Sequence, residues 1–283
     1  MRRLLVVLCA ACIFLGMAGF ASAASVYVYD GGLGTWHDAD KTSYSSTADP
    51  DGWMCWAAAA SNALAWAGWY GLESDGVTPI SSEDAIFAHF VNSWPNSTGN
   101  VMYGYDWWFE NIDNDPNDNP TGDAGFYDDY DLTPPPFPGV YGGSWGTNHP
   151  EESWIAGYIA DDRAIEIQIE LSAFGGFSHS LTVWGMDEDA NELYFTDSDD
   201  GANQLRTLDY YWDGSYLWLD DYTNSYLTTP TDGKIIQLVR LNRNTDDLTP
   251  SLINGPINGV PEPATIILLG IGLLGLGGFR RKE

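Results

Sequence analysis

The chain has 283 residues, a length for one or two domains, and a formal charge of −29 from 11 Lys and Arg against 40 Asp and Glu. Such acidity repels a phosphate backbone and excludes nucleic-acid binding. Apolar residues at 44% with 13 Trp exclude an acidic disordered chain, and only three Cys exclude a disulfide scaffold.

Residues 1–23 read as a secretory signal peptide. Arg2 and Arg3 form its basic start, Leu4 to Phe20 its apolar run, and Ala21-Ser22-Ala23 its small-residue cleavage site. Cys9 and Cys12 leave with it, so the exported chain keeps Cys55 alone. A lone exported thiol either pairs with another chain or is kept for its reactivity. Residues 24–259 are expected to form one domain. Residues 25–54 are an extended, polar lead-in that contains His37 and Lys41 and ends in an Asp51-Gly52 turn. The Ala-rich run that follows predicts a buried central helix from Cys55 to about Tyr70, stopped by Gly71. Ser81 and Asp84 have capping-box spacing. Ile86, Phe87, Phe90 and Val91 then predict a second helix to about Trp94, with His89 a structural member of it.

Residues 95–150 are rich in Asn, Asp, Pro and Gly, and Pro134-Pro135-Pro136 excludes helix and central strand. Their scattered aromatics, Trp107, Trp108, Phe109 and Phe126 among them, predict a loop-rich insert packed onto the body. Asp113, Asp115 and Asn117 begin like a Ca²⁺ loop, but Asp118 and Ala124 stand where an EF-hand needs Gly and Glu. Beyond the insert, Ile165, Ile167 and Ile169 alternate with Glu166, Gln168 and Glu170, a strand pattern. Ser180–Met186, Glu192–Thr196 and Lys234–Leu241 complete the predicted strands. Helices followed by an antiparallel sheet predict an α+β domain.

The chemistry centres on Cys55. A helix N-terminus presents unpaired N–H groups and partial positive charge, which favour thiolate and can also face an oxyanion. A small core residue in an Ala-rich helix is the structural alternative. Of the histidines, His149 precedes Pro150 in the insert and has no argued role. His179 opens a strand whose hairpin partner runs into Asp197-Ser198-Asp199-Asp200. With the turn tip at 188–190, position 179 falls opposite about 197–201. A carboxylate there would fix the imidazole tautomer, and Asp197 and Asp199, on one face, are both candidates.

Trp36-His37-Asp38-Ala39-Asp40-Lys41-Thr42, Cys55-Trp56-Ala57-Ala58-Ala59-Ala60-Ser61-Asn62, His179-Ser180-Leu181-Thr182-Val183-Trp184-Gly185 and Tyr194-Phe195-Thr196-Asp197-Ser198-Asp199-Asp200, in that order, resemble the IdeS/Mac family of cysteine endopeptidases. The resemblance implies a papain-like fold, an N-terminal helical part with the central Cys-bearing helix and a C-terminal antiparallel sheet carrying His and Asp. It implies Cys55 as nucleophile, His179 as general base and Asp197 as the residue orienting it. Asp199 would be a supporting acid, and Lys41 would join the Cys55 N–H in the oxyanion hole. Lys41 stands fourteen positions before Cys55, across a loop longer than the family pattern suggests. No cofactor or metal is expected. The expected partner is a protein or peptide substrate, the bond cut being an amide. A non-catalytic surface or matrix protein on the same scaffold and a transglutaminase-like acyl transfer are the alternatives.

Residues 260–283 read as a sorting segment: Pro261-Glu262-Pro263, the apolar run Ala264–Phe279, then Arg280, Arg281 and Lys282. At about 1.5 Å per residue the run spans roughly 24 Å, short of a roughly 30 Å hydrocarbon core. The pattern resembles the PEP-CTERM sorting signal of Gram-negative bacteria. It implies transient inner-membrane anchoring, cutting by an exosortase, and release to the envelope or extracellular matrix.

Overall fold

A computed structural model describes residues 26–27, 36–42, 50–72, 78–110, 126, 140–145, 150–171, 177–201, 203–225, 227 and 229–244. The predicted signal peptide, the acidic loop at 113–124 and the sorting segment lie outside these residues. In chain order the elements are β1 (Val26–Tyr27), α1 (Cys55–Ala67), β2 (Gly71–Leu72), β3 (Pro79–Ile80), α2 (Glu83–Ser93), α3 (Val101–Tyr105) and a π-helical turn (Asp106–Glu110). They continue as β4 (Tyr141–Trp145), α4 (Glu152–Ala160), β5 (Arg163–Leu171), β6 (Phe177–Asp187), β7 (Glu192–Thr196), β8 (Arg206–Trp212), β9 (Leu217–Tyr222) and β10 (Thr231–Asn242).

The large sheet runs β6-β5-β10-β9-β8-β7, and β7 pairs back with β6, so six antiparallel strands close into a barrel. Closure removes the sheet edges that an open arrangement would expose. β6 and β10 are long enough to serve two partners on one edge. β10 meets β9 through Thr231–Lys234 and β4 through Gln237–Leu241, while β5 follows its other edge. Beyond β5, the far end of β6 pairs with β1 at Met186 and Gly185.

This overturns the expected papain-like α+β fold with an N-terminal helical part. The chain is mostly sheet, a closed barrel with a few helices beside it. The physical reason lies in β8 and β9, which no sequence pattern announced. Their residues alternate only partly, and Asp209, Asp220 and Asp221 stand within the strands, exposed to solvent. Between them, Asp213-Gly214 makes the hairpin turn: Oδ1 of Asp213 accepts the N–H groups of Ser215 and Tyr216, and Gly214 takes φ 97°. These strands fill the gap between β10 and β7.

α1 lies on the outside of the barrel, packed against β5 and β6 on one side and α2 and α3 on the other. It is buried nearly all round, as its alanines require. It ends sooner than predicted, at Ala67, because Gly68 adopts the left-handed conformation (φ 76°) and its N–H returns to Leu64 and Ala65. The cap of α2 is Ser82 rather than Ser81; its side chain accepts the N–H of Ala85 at 3.2 Å.

On β5 and β6, Ile165, Ile167, Ile169, Leu181 and Val183 share the face that fills the barrel. The opposite face carries Glu166, Gln168, Ser180 and Thr182. All four are buried, with Thr182 and Glu166 meeting α1 and α3. Glu166 accepts the hydroxyl of Tyr105 there. Burial, partly offset by that bond, raises its carboxyl to about 8. Within the insert, the described aromatics pack as expected: Trp107, Trp108, Phe109 and Phe126 are buried, and the rings of Trp108 and Phe126 stack at 3.8 Å.

Candidate active site

Cys55 is the first residue of α1. The turn before it is closed by the N–H of Met54 on the carbonyl of Asp51 at 3.0 Å, and no side chain caps the helix. Within the first turn the N–H of Ala57 turns back to the Met54 carbonyl at 3.0 Å, and no side chain takes up those of the residues before it. The thiol is half-buried and lines the same cleft as His179 and Lys41. Burial alone would push it up, but the charge and hydrogen bond of His179, helped by Lys41, outweigh burial and hold it below its ordinary range.

The β6–β7 register pairs Thr182 with Thr196. Continued toward the open end of the hairpin, it brings His179 beside the turn after β7. His179 Nε2 donates to Asp197 Oδ1 at 2.7 Å, while Nδ1 lies 3.6 Å from Asp199 Oδ2. Of the two candidate carboxylates, Asp197 is thus the one within hydrogen-bond reach. Burial would lower the imidazole, but Asp199, Asp197 and the Cys55 thiolate overcome it and raise it well above its usual range. Cysteine held low beside histidine held high describes a thiolate–imidazolium pair.

Asp197 is fully buried and ringed by donors. Arg206 Nη1 donates at 2.8 Å and the Tyr222 hydroxyl at 2.6 Å to Oδ2, and the N–H of Asp199 donates at 3.0 Å to Oδ1. Burial works against ionisation, but His179, Tyr222 and Arg206 keep this carboxyl below its ordinary value. Asp199 ion-pairs with Lys41 instead. Lys41 is buried, its Nζ donating to the Gly52 carbonyl at 3.0 Å and its N–H to Ser198 O at 3.1 Å. The span between Lys41 and Cys55 is tied at its base, where Thr42 N and Oγ1 donate to Asp51 Oδ2 at 2.7 and 2.8 Å. All five side chains singled out from sequence therefore meet at one place. The remaining histidines do not join them. His37 bonds Glu83 at 2.9 Å, His89 packs edge-on against Phe126, and His149 lies outside the described residues.

Four segments are locked together by residues to which the sequence assigned no role. Asn62 Oδ1 accepts the N–H of Ala39 at 2.7 Å, and its Nδ2 donates to Thr182 at 3.1 Å and Thr196 at 3.4 Å. Thr196 Oγ1 donates to the His37 carbonyl at 2.9 Å. One buried amide thus fixes the lead-in, α1, β6 and β7 relative to each other. An Asn amid seven alanines was the available signal. Arg206 and Tyr222 had none, since they lie on the strands that the sequence concealed.

The cleft over Cys55 has a volume of about 530 Å³ and is walled by Trp53, Leu171, Phe177 and Leu227, with Lys41, His179 and Asp199 among its polar groups. Phe177 is 47% exposed, its ring 5.0 Å from that of Trp53. His179, Asp197 and Asp199 stand close enough to share a metal ion, but Lys41 and Arg206 already supply positive charge to both carboxylates.

Residues 259–282 match the family described as the PEP-CTERM protein-sorting motif. That motif implies export and sorting to the envelope of a Gram-negative bacterium, and exosortase-type enzymes recognise it. No curated protein matches the chain. The resemblance to the IdeS/Mac endopeptidases finds no support in these comparisons. Among the described residues no helix is long and apolar enough to cross a membrane, and Ala264–Phe279 lies outside them.

Proposed function

We propose that this protein is an exported cysteine endopeptidase acting on a protein or peptide substrate. The observation that carries the reading is the meeting of Cys55 and His179 at the wall of one apolar cleft, with His179 hydrogen-bonded behind it to the buried Asp197. In this reading the Cys55 thiolate attacks a peptide carbonyl. The oxyanion that forms is met by the Cys55 N–H at the start of α1 and by the Lys41 ammonium. His179 gives its proton to the leaving amine, which departs as the acyl-enzyme forms. The now neutral imidazole takes a proton from water, whose oxygen attacks the thioester and releases the acid. Asp197 keeps the imidazole in the required tautomer and stabilises its charged form. Digestion of a peptide library by the wild type and by Cys55→Ala tests the reading: products that depend on Cys55 support it, and a folded protein that cuts nothing contradicts it.

The run Ala264–Phe279 serves in this account as a temporary inner-membrane anchor, removed when an exosortase-type enzyme cuts near Pro261-Glu262-Pro263. Pulse-chase labelling would show a full-length membrane form giving way to a shorter one outside the membrane. A single full-length form that never enters the membrane fraction would be incompatible with anchoring.

A further inference from the structure

Beside the Cys55 cleft, the lead-in and the turn after β7 bring together three carboxylates that the proposed chemistry does not use. Asp38, Asp40 and Asp200 each offer an oxygen, and these oxygens all lie within 4.8 Å of one another. Asp38 is only 3% exposed. Its Oδ2 accepts the N–H of Gln204 at 3.1 Å, but its Oδ1 is buried without any hydrogen-bond partner, as is Oδ1 of Asp40. A buried carboxylate oxygen left unpaired loses its hydration with nothing in return. Lys41 of the lead-in ion-pairs with Asp199, and Arg206 at the start of β8 with Asp197.

We propose that Asp38, Asp40 and Asp200 form a Ca²⁺ site, the two orphaned oxygens being ligands. Oxygens within 4.8 Å of one another can share one Ca²⁺, whose bonds of about 2.3–2.6 Å let opposite ligands stand up to about 5 Å apart. Hard carboxylate oxygens are its preferred donors, and water completes its shell. The ligand residues adjoin the site chemistry directly: Asp40 precedes Lys41, and Asp200 follows Asp199. The ion clips the lead-in to the turn after β7, alongside the bond from Lys41 N to Ser198 O. Its effect on catalysis rests on the peptidase reading; its binding does not.

Calorimetric titration of the exported chain with CaCl₂ after EDTA dialysis, paired with thermal unfolding, tests the site. One ion should bind with a Kd of about 10⁻⁴–10⁻³ M, as in extracellular modules. At ten times Kd the midpoint should rise by about 3–5 °C. Asp40→Asn, at a part-exposed position less demanding of the fold than Asp38, should abolish both responses. In EDTA it should melt no lower than wild type, because burial and the neighbouring carboxylates disfavour the Asp40 charge that the substitution removes. A wild type with neither heat nor midpoint shift overturns the site, and so does an Asp40→Asn protein that keeps the full response. Calorimetry reads the ion whether or not any peptide is cut, so failure of the peptidase reading is separable from failure of this one.

Discussion

Replacing His179 by Ala isolates the electrostatics on which the site depends. Burial, with a smaller push from the Asp199 charge, drives the pKa of the Cys55 sulfur up, and His179 and Lys41 pull it down. The substitution removes the larger of the two lowering influences and leaves burial in force. An ordinary thiol titrating near 8.5 is about 0.3% ionised at pH 6 and half ionised at pH 8.5, so its alkylation rate rises about 150-fold over that interval. A thiolate already formed beside an imidazolium should gain only a few-fold. The low-pKa thiolate is also the weaker nucleophile by a factor of several. The net expectation is that iodoacetamide labels Cys55 at pH 6 about 30-fold more slowly in His179→Ala than in wild type. Protein beginning at Ala24 has Cys55 as its single thiol, so mass spectrometry of the intact chain reads the rate without ambiguity. Both proteins must show the same midpoint of urea unfolding for the comparison to hold. A wild-type rate that climbs with pH as steeply as a free thiol, or a variant with an unchanged profile, refutes the ion-pair argument.

Asp197→Ala strips the shared acceptor from His179, Arg206 and Tyr222, leaving a buried imidazole and a part-buried guanidinium without their carboxylate; a loss of about 3–5 kcal/mol in urea unfolding is expected. Lys41→Met should cost a similar amount by stranding Asp199, and adding Asp199→Asn should restore most of the stability. If Lys41 meets the oxyanion, both the single and the double variant should still lose about 10²–10³ in kcat, read as peptide-hydrolysis rate. Glu166 is the reverse of a usual carboxylate, its pKa raised by burial from 4.5 to about 8. Its neutral form therefore contributes stability that is complete below the unfolded value and is lost as pH rises through about 8. Glu166→Gln should accordingly match wild type near pH 4.5 and exceed it at pH 9 by a few kcal/mol, on the order of 3–5, in urea midpoints converted to free energy.

The helix bearing Cys55 and the β6–β7 hairpin were legible because each rests on local chemistry. Alanines without turn residues make a helix, and two short apolar runs around Asp187–Asn191 make a hairpin whose register follows from its tip. That register was enough to set His179 near Asp197. The closed barrel was not legible, since β8 and β9 face solvent along much of their length and carry acids where a buried strand would carry apolar residues. Arg206 and Tyr222, which hold Asp197 in its charged form, were hidden for the same reason. The burial of Glu166 and Gln168 on β5 was not legible either. Alternation reports two unlike faces, but not that helices cover the polar one. The reach of Lys41 depended on Asp51 tying the loop base, a tertiary bond with no sequence signature.

The central claim is that the Cys55 sulfur performs acyl transfer on a peptide bond. Its most direct measurement is digestion of a peptide library at neutral pH with mass-spectrometric readout, comparing wild type, Cys55→Ala and Cys55→Ser at matched folded concentration. The account predicts wild-type cleavage with a covalent acyl adduct trapped on Cys55, and no cleavage by either variant. Undiminished cleavage by Cys55→Ala, or an intact library after incubation with folded, readily alkylated wild type, would contradict it.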